Sequence, residues 1–326
     1  MRVLPYIALL ILAGILAYRG TMSYPFVFDD KPAILDNRTI RHFDMAVSPP
    51  GNGSSVTGRP LVNLSFAVNH AISGEAVWSY HVLNLLIHIG SGLVLFGLLR
   101  RTLQLPTMVQ RLRDAATSLA FAVALLWLVH PLQTESVTSI VQRTESLVGL
   151  LYLATLYGFV RSLAATARVQ AWRGISVLVC LGGMATKEVM ATAPLLVLLY
   201  DRTFAAGSFG AAWRLRRGYY LGLAGTWLLL GTLVFSAGGT RGEAAGFGLG
   251  VTPWNYALTQ CHALLLYLKL SFWPQPLVFD YGTVVAKNFA SVWLQVLGVV
   301  LLVAGTITAL VRRPAMGFLC AGFLLI

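Results

Sequence analysis

Apolar residues run along this chain in blocks about one membrane thick, separated by short arginine-rich pieces. The first block, 3–18, is flanked by Arg2 and Arg19. Others cover 80–99 (closed by Arg100-Arg101), 115–129, 144–160 (closed by Arg161, Arg168 and Arg173), 218–237 and 290–311 (closed by Arg312-Arg313). A helix needs roughly 20 apolar residues to cross a bilayer core, so each block predicts a crossing. No small-x-small cleavage pattern follows Tyr18-Arg19-Gly20, so the first block reads as a retained signal anchor. Residues 59–70 have helical apolar spacing but are too short and too polar to cross, which predicts an interfacial helix. A small flexible patch, 51–55, precedes it. Tyr256 to Phe272 fits a crossing or an interfacial helix; the second keeps Arg312-Arg313 on the basic side.

Residues 174–200 break the pattern. Both flanks are basic, the far one through Arg202, Arg214, Arg216 and Arg217. At about 1.5 Å per residue the block is long enough for one crossing and short for two. Gly182-Gly183 and Lys187-Glu188 interrupt it near the middle. The prediction is two short helices meeting at a polar tip, with irregular backbone lining a cavity; a single straight span is the rival.

Composition agrees with a membrane chain. Of 326 residues, 57% are hydrophobic and 11% charged, whereas a soluble domain carries about 25% charged residues. The expected fold is an all-α, polytopic transmembrane helical bundle forming one domain over 1–326. A long first external loop (19–79) and a second large external segment (238–289) would face the same side. With arginine-rich pieces and the N-terminus cytoplasmic, Asp114 and Asp201 fall inside and the other ten of twelve acids outside. Carboxylates concentrated on one face mark where chemistry belongs. The net charge of +12 does not imply nucleic acid, because no basic-aromatic stripe accompanies it. Cys180, Cys261 and Cys320 lack metal-ligand spacing and read as small buried hydrophobes. No P-loop, dinucleotide fingerprint, zinc-protease helix or serine elbow is present. The run after Pro314 is too short to cross, so the chain is expected to be cut short.

Candidate chemistry starts at Tyr24-Pro25-Phe26-Val27-Phe28-Asp29-Asp30-Lys31-Pro32. Adjacent carboxylates at a membrane surface repel each other and resist desolvation, which raises one pKa and suits a general base. A solvated turn is the alternative. His81, Asn84 and His88 share one helix face; His81 could donate to a phosphate or ligate a metal, and His88 reads as a helix–helix hydrogen-bonding residue. His130, Gln133, Glu135, Gln142, Arg143 and Glu145 surround one external end. Capping explains Glu135, whereas an arginine there suits a forked grip on phosphate. Lys187-Glu188 at the hairpin tip is either functional or a self-neutralising pair. Asp280-Tyr281 touches an acceptor, seals the site or is plain loop.

In order, the chain carries Phe28-Asp29-Asp30, Arg59-Pro60-Leu61, Tyr80-His81-x-x-Asn84-x-x-x-His88 and His130-Pro131-x-x-x-Glu135-Ser136-Val137. Arg143-x-Glu145, Thr186-Lys187-Glu188 and Phe279-Asp280-Tyr281 follow. This order resembles the membrane half of the transmembrane-and-tetratricopeptide-repeat O-mannosyltransferases, in a bacterial-type relative, and so resembles the GT-C glycosyltransferases. The resemblance implies a polyprenyl-phosphate sugar donor, typically mannose, and a protein or glycan hydroxyl acceptor. It implies transfer with inversion on the extracytoplasmic face of a bacterial inner membrane. Asp29 or Asp30 would be the base; Lys187 and Arg143 would neutralise the departing phosphate, with His81 or His130 as donors. Glu135, Glu145, Glu188, Asn84, Arg59, Asp280 and Tyr281 would line the acceptor pocket. No residues are assigned to a metal, and a divalent cation stays open. The C-terminal repeats of the family are expected to be absent. A transporter or flippase for a lipid-linked or anionic substrate, and a non-catalytic membrane platform, are the alternatives.

Overall fold

A computed structural model describes residues 3–164, 167–237, 251–279, 281–282 and 285–326. Every regular element among them is helical. Where the sequence predicted one domain, the chain divides into two compact units, Met1–Gly242 and Glu243–Ile326. The stretch 238–250 around the division has six glycines in thirteen residues.

The first unit holds α1 (Leu4–Tyr18), α2 (Phe43–Ala46), α3 (Pro60–Ser73), α4 (Trp78–Leu103), α5 (Gln110–Asp114) and α6 (Ala116–Leu128). It continues with α7 (Thr134–Thr138), α8 (Arg143–Ala164), α9 (Val169–Met184), α10 (Ala193–Phe204) and α11 (Phe209–Ser236). The second unit holds α12 (Pro253–Phe272), α13 (Trp293–Arg312) and α14 (Pro314–Leu325). Five segments are long and apolar enough to cross a membrane: Leu4–Thr21, α4, α8, α11 and α13. A sixth is reached if α6 and Pro131–Thr138, bent by 51°, count as one broken span. The protein is a multi-pass membrane protein.

Lipid offers helices no hydrophobic reason to associate, so close packing of small residues and hydrogen bonds must do it. Leu10, Phe96, Ala120, Ala124 and Leu128 join α1, α4 and α6 in one buried cluster. Gly158 brings α8 against α9 so closely that a Cβ there would lie 3.0 Å from Ser176 Cβ. Ser176 then donates to the Thr155 carbonyl (2.8 Å) and bonds Tyr219 Oη (2.7 Å), tying α8, α9 and α11 together. In the second unit, α12 and α13 meet around Leu258, Ala286 and Val292.

The interrupted block is a hairpin. Lys187 sits opposite Glu145 in the first turn of α8, and α9 and α10 both run back along α8 from that level. Ser176 of α9 reaches Thr155. Tyr200 of α10 packs edge-on against Phe159, centroids 6.1 Å apart. Fourteen helical residues separate Glu145 from Phe159 along α8, about 21 Å. A straight span would have carried Tyr200 away from α8's far end.

The first loop is folded rather than draped. Ala33, Ile34, Ile40, Ala46, Val56, Val62, Phe66, Ala67 and Tyr80 form one core with Ile140 and Val141. Val56, just past the stretch predicted to be flexible, is completely buried. The expected interfacial helix is α3; it turns Asn63 and Asn69 inward and leaves Val68 and Ile72 exposed.

Candidate active site

The loop Tyr24–Pro32 separates its two acids. Phe28 has a φ of +44°, a left-handed conformation rare for a bulky residue, and it stands immediately before them. Asp29 is exposed, and its carboxylate has no hydrogen-bond partner among the described residues. Asp30 is 1% exposed. Its Oδ2 accepts from the Val27 amide (2.9 Å) and its Oδ1 from the Val141 amide (2.8 Å). Burial pushes the Asp30 pKa up; the two amide bonds and His81 pull it back, and Asp29 adds a small upward push. Of the two causes expected from sequence, burial is the largest of these effects and repulsion between neighbours the least. The catalytic pair proposed from sequence is therefore one free carboxylate and one enclosed one.

His81 is buried, and its Nε2 lies 2.9 Å from the Tyr24 carbonyl. That contact uses the nitrogen a phosphate would need, and Nδ1 is enclosed without a hydrogen-bond partner. His88 bonds the Leu128 carbonyl through Nε2 (2.8 Å), joining α4 to α6 as its position suggested.

Arg143 is not presented to a ligand. It is 0% exposed. Nε donates to Asn84 Oδ1 (2.7 Å), Nη1 to Asn69 Oδ1 (2.6 Å) and Ser65 Oγ (3.2 Å), and Nη2 to the Tyr80 carbonyl (2.9 Å). The guanidinium also lies 4.6 Å from the Phe66 ring centroid. A buried cation must be hydrogen-bonded or paired, and here neutral acceptors and a ring face supply the compensation. The expected phosphate grip gives way to a junction joining α3, α4 and α8. Asn84 belongs to that junction rather than to an open pocket: its Nδ2 donates to the Ser139 carbonyl (3.2 Å).

Four charged groups gather at the hairpin tip. Lys187 pairs with Glu145, and Arg59 with Glu188 at 3.4 Å. The Leu61 amide donates to the Ala185 carbonyl (3.2 Å), which seats the start of α3 on the tip. Each tip residue thus bonds across the chain, and the expected self-neutralisation of Lys187 by Glu188 is replaced by two separate pairs. Lys187, Glu145 and Glu188 keep 29%, 42% and 41% of their side chains exposed.

The remaining sequence candidates are scattered. His130 caps the short helical turn Pro131–Gln133, its Nδ1 accepting from the Leu132 amide (3.2 Å). Glu135 is exposed and takes a hydrogen bond from Gln142 (3.0 Å). Tyr281 belongs to the second unit, donates to the Pro276 carbonyl (2.8 Å) and borders a cavity of about 780 Å³ with His262 and Lys287. Asp280 lies outside the described residues. No cluster of three metal-ligating side chains occurs among the described residues.

Sequence reasoning missed one site of charge. Asp201, placed on the cytoplasmic side and given no further role, is fully buried. Arg216 Nη1 reaches both its oxygens (3.0 and 2.9 Å), and Tyr220 donates at 2.5 Å. An acid directly after the apolar run Leu195–Tyr200 was the available signal.

Acid loop and lysine tip occupy one end of the bundle. Val141, which holds Asp30, is four residues from Glu145, which holds Lys187.

Comparison with known proteins bears on what this end does. No protein-family model matches the chain, and no solved structure does. Curated relatives match clearly. The chain is 27% identical over 303 residues to protein O-mannosyl-transferase Tmtc2 of Drosophila melanogaster, covering 85% of this chain and 30% of the relative. To Tmtc1 of the same organism it is 26% identical over 311 residues, covering 85% and 34%. To human protein O-mannosyl-transferase TMTC4 it is 32% identical over 174 residues, covering 48% and 23%. The chain spans about a third or less of the length of these relatives. Over most of its own length, the chain is similar to the TMTC protein O-mannosyl-transferases.

Proposed function

We propose that this chain is the membrane part of a GT-C type glycosyltransferase that moves a sugar, with mannose the first choice, from a polyprenyl phosphate to a hydroxyl of a protein or glycan. The relatives' name, protein O-mannosyl-transferase, supports the reaction class. One observation carries the assignment of residues: at a single end of the bundle, an exposed carboxylate without a partner accompanies a half-exposed lysine.

Asp29 takes the proton from the acceptor hydroxyl. The hydroxyl oxygen forms a bond to the anomeric carbon as the carbon–oxygen bond to the lipid phosphate breaks, so attack from the opposite side inverts that carbon. The electron pair leaves with the phosphate. Lys187 faces the developing negative charge and stabilises it as a nearby cation. Arg59 stands behind the tip as a second cation. Asn84 and Arg143 hold the helices that present these groups. The active end faces the extracytoplasmic side of a bacterial inner membrane, with the N-terminus cytoplasmic.

The test is Asp29→Asn, assayed with radiolabelled polyprenyl-phosphate mannose. General-base loss costs about 10²–10⁴-fold, so transfer should fall into that range. Undiminished transfer would remove Asp29 from the mechanism.

A further inference from the structure

The loop bearing Asp29 is fastened on one side to a membrane helix and on the other to the turn that leads into the next one. Before it, Tyr24 gives its carbonyl to His81 of α4 at 2.9 Å, and the two rings meet edge-on with centroids 6.4 Å apart. After it, Asp30 closes a short turn onto the Val27 amide (2.9 Å) and reaches the Val141 amide (2.8 Å) in the turn that leads into α8. Between these fastenings lies Phe28 at φ +44°. A strained backbone conformation of that kind persists only where its surroundings over-determine it.

The histidine chemistry is specific. A carbonyl oxygen only accepts, so Nε2 carries the hydrogen and Nδ1 is left with a lone pair. Nδ1 is buried without a hydrogen-bond partner. An enclosed, unsatisfied acceptor costs stability. The ring therefore stands where it does for the bond it makes to Tyr24. Asp30 is likewise spent on backbone: each of its oxygens accepts one amide, on opposite sides of the fold.

We propose that His81 and Asp30 are positioning residues for Asp29. They fix the loop to α4 and to the turn that leads into α8 so that one carboxylate stands at a set place at the end of the bundle, and neither touches substrate. The inference rests on the reading of Asp29 as the base, yet it makes a claim about loop order that is measured without catalysis.

Three variants of the full chain test it in detergent or nanodiscs: His81→Leu, His81→Gln and Asp30→Asn. Hydrogen exchange is followed in the segment 24–30, with α11 as internal reference. His81→Leu and Asp30→Asn should speed exchange in 24–30 about tenfold or more, α11 staying at the wild-type rate. His81→Gln keeps a side-chain N–H for the Tyr24 carbonyl and should restore protection. With polyprenyl-phosphate mannose as donor, kcat should fall about 10²-fold for the first two variants while donor KM holds, since a small misplacement costs that much. Wild-type exchange in His81→Leu, or His81→Gln as loosened as His81→Leu, overturns the proposal. Should His81→Leu fail to fold, His81→Gln protected beside a loosened Asp30→Asn upholds it, and an unloosened Asp30→Asn overturns it. Full transfer by Asp29→Asn together with the expected exchange pattern would remove the base and leave the fastening in place.

Discussion

The hairpin α9–α10 carries charge at both ends, and the two ends are built differently. At the tip, Lys187 and Glu188 pair with Glu145 and Arg59 across side chains that stay 14–42% exposed. At the base, Asp201 is wholly buried and held by Arg216 and Tyr220. Screened pairs contribute about 0–1 kcal/mol to stability. A buried carboxylate stripped of its cation is left with an uncompensated charge, at about 3–5 kcal/mol. The base therefore fixes the fold, and the tip is free to exchange partners. A phosphate approaching the tip competes with Glu145 for Lys187 at little cost to the protein.

The largest effect should come from breaking the base. Arg216→Ala leaves Asp201 buried with Tyr220 but without its cation, and should lower unfolding stability by about 3–5 kcal/mol in detergent. Replacing both partners with apolar residues of similar size should recover much of that loss, because the buried charge goes with its partner. Equal instability in single and double variants would erase the distinction between the two ends.

Breaking the tip should act on chemistry instead. Lys187→Ala should cost under about 1 kcal/mol of stability while lowering transfer about 10²-fold, in line with losing one stabilising group for developing charge. The loss should appear in donor use more than in acceptor use. Equal effects on the two substrates, or a stability loss matching that of Arg216→Ala, would put the tip in the same class as the base.

Sequence anticipated the hairpin because its break is local: two glycines and a charged dipeptide inside an apolar run cannot continue a straight span cheaply. It anticipated His88 because helical spacing alone places that residue deep between helices. Arg143 was misread for the opposite reason. Its acceptors Asn84, Asn69 and Ser65 lie 59 to 78 residues away, and no local pattern distinguishes an arginine gripping a ligand from one gripping its own fold. Asp201 followed the same logic: it was placed among the arginine-rich cytoplasmic pieces, while its partner Arg216 sits fifteen residues on, beyond a turn. The acids at 29 and 30 differ by one position, and only the positive φ at Phe28 and the amide of Val141 decide which is enclosed.

The enclosed acid gives the smallest and most direct test. Burial raises the Asp30 pKa in the folded protein, so the folded state holds that proton more tightly than the unfolded chain does. The resulting stability is fully present below the ordinary carboxylate range and is lost as the pH rises through the raised folded value. Thermal unfolding in detergent, followed upward from acid pH, should show a modest decline over that interval in wild type. Asp30→Asn, which cannot ionise, should be less stable at acid pH through its lost amide bond yet show a flatter profile. Parallel profiles for the two proteins would mean that the amides of Val27 and Val141 outweigh burial. Asp30 would then stand as a well-solvated anion in all but position, and the contrast with exposed Asp29 would rest on hydrogen bonding alone.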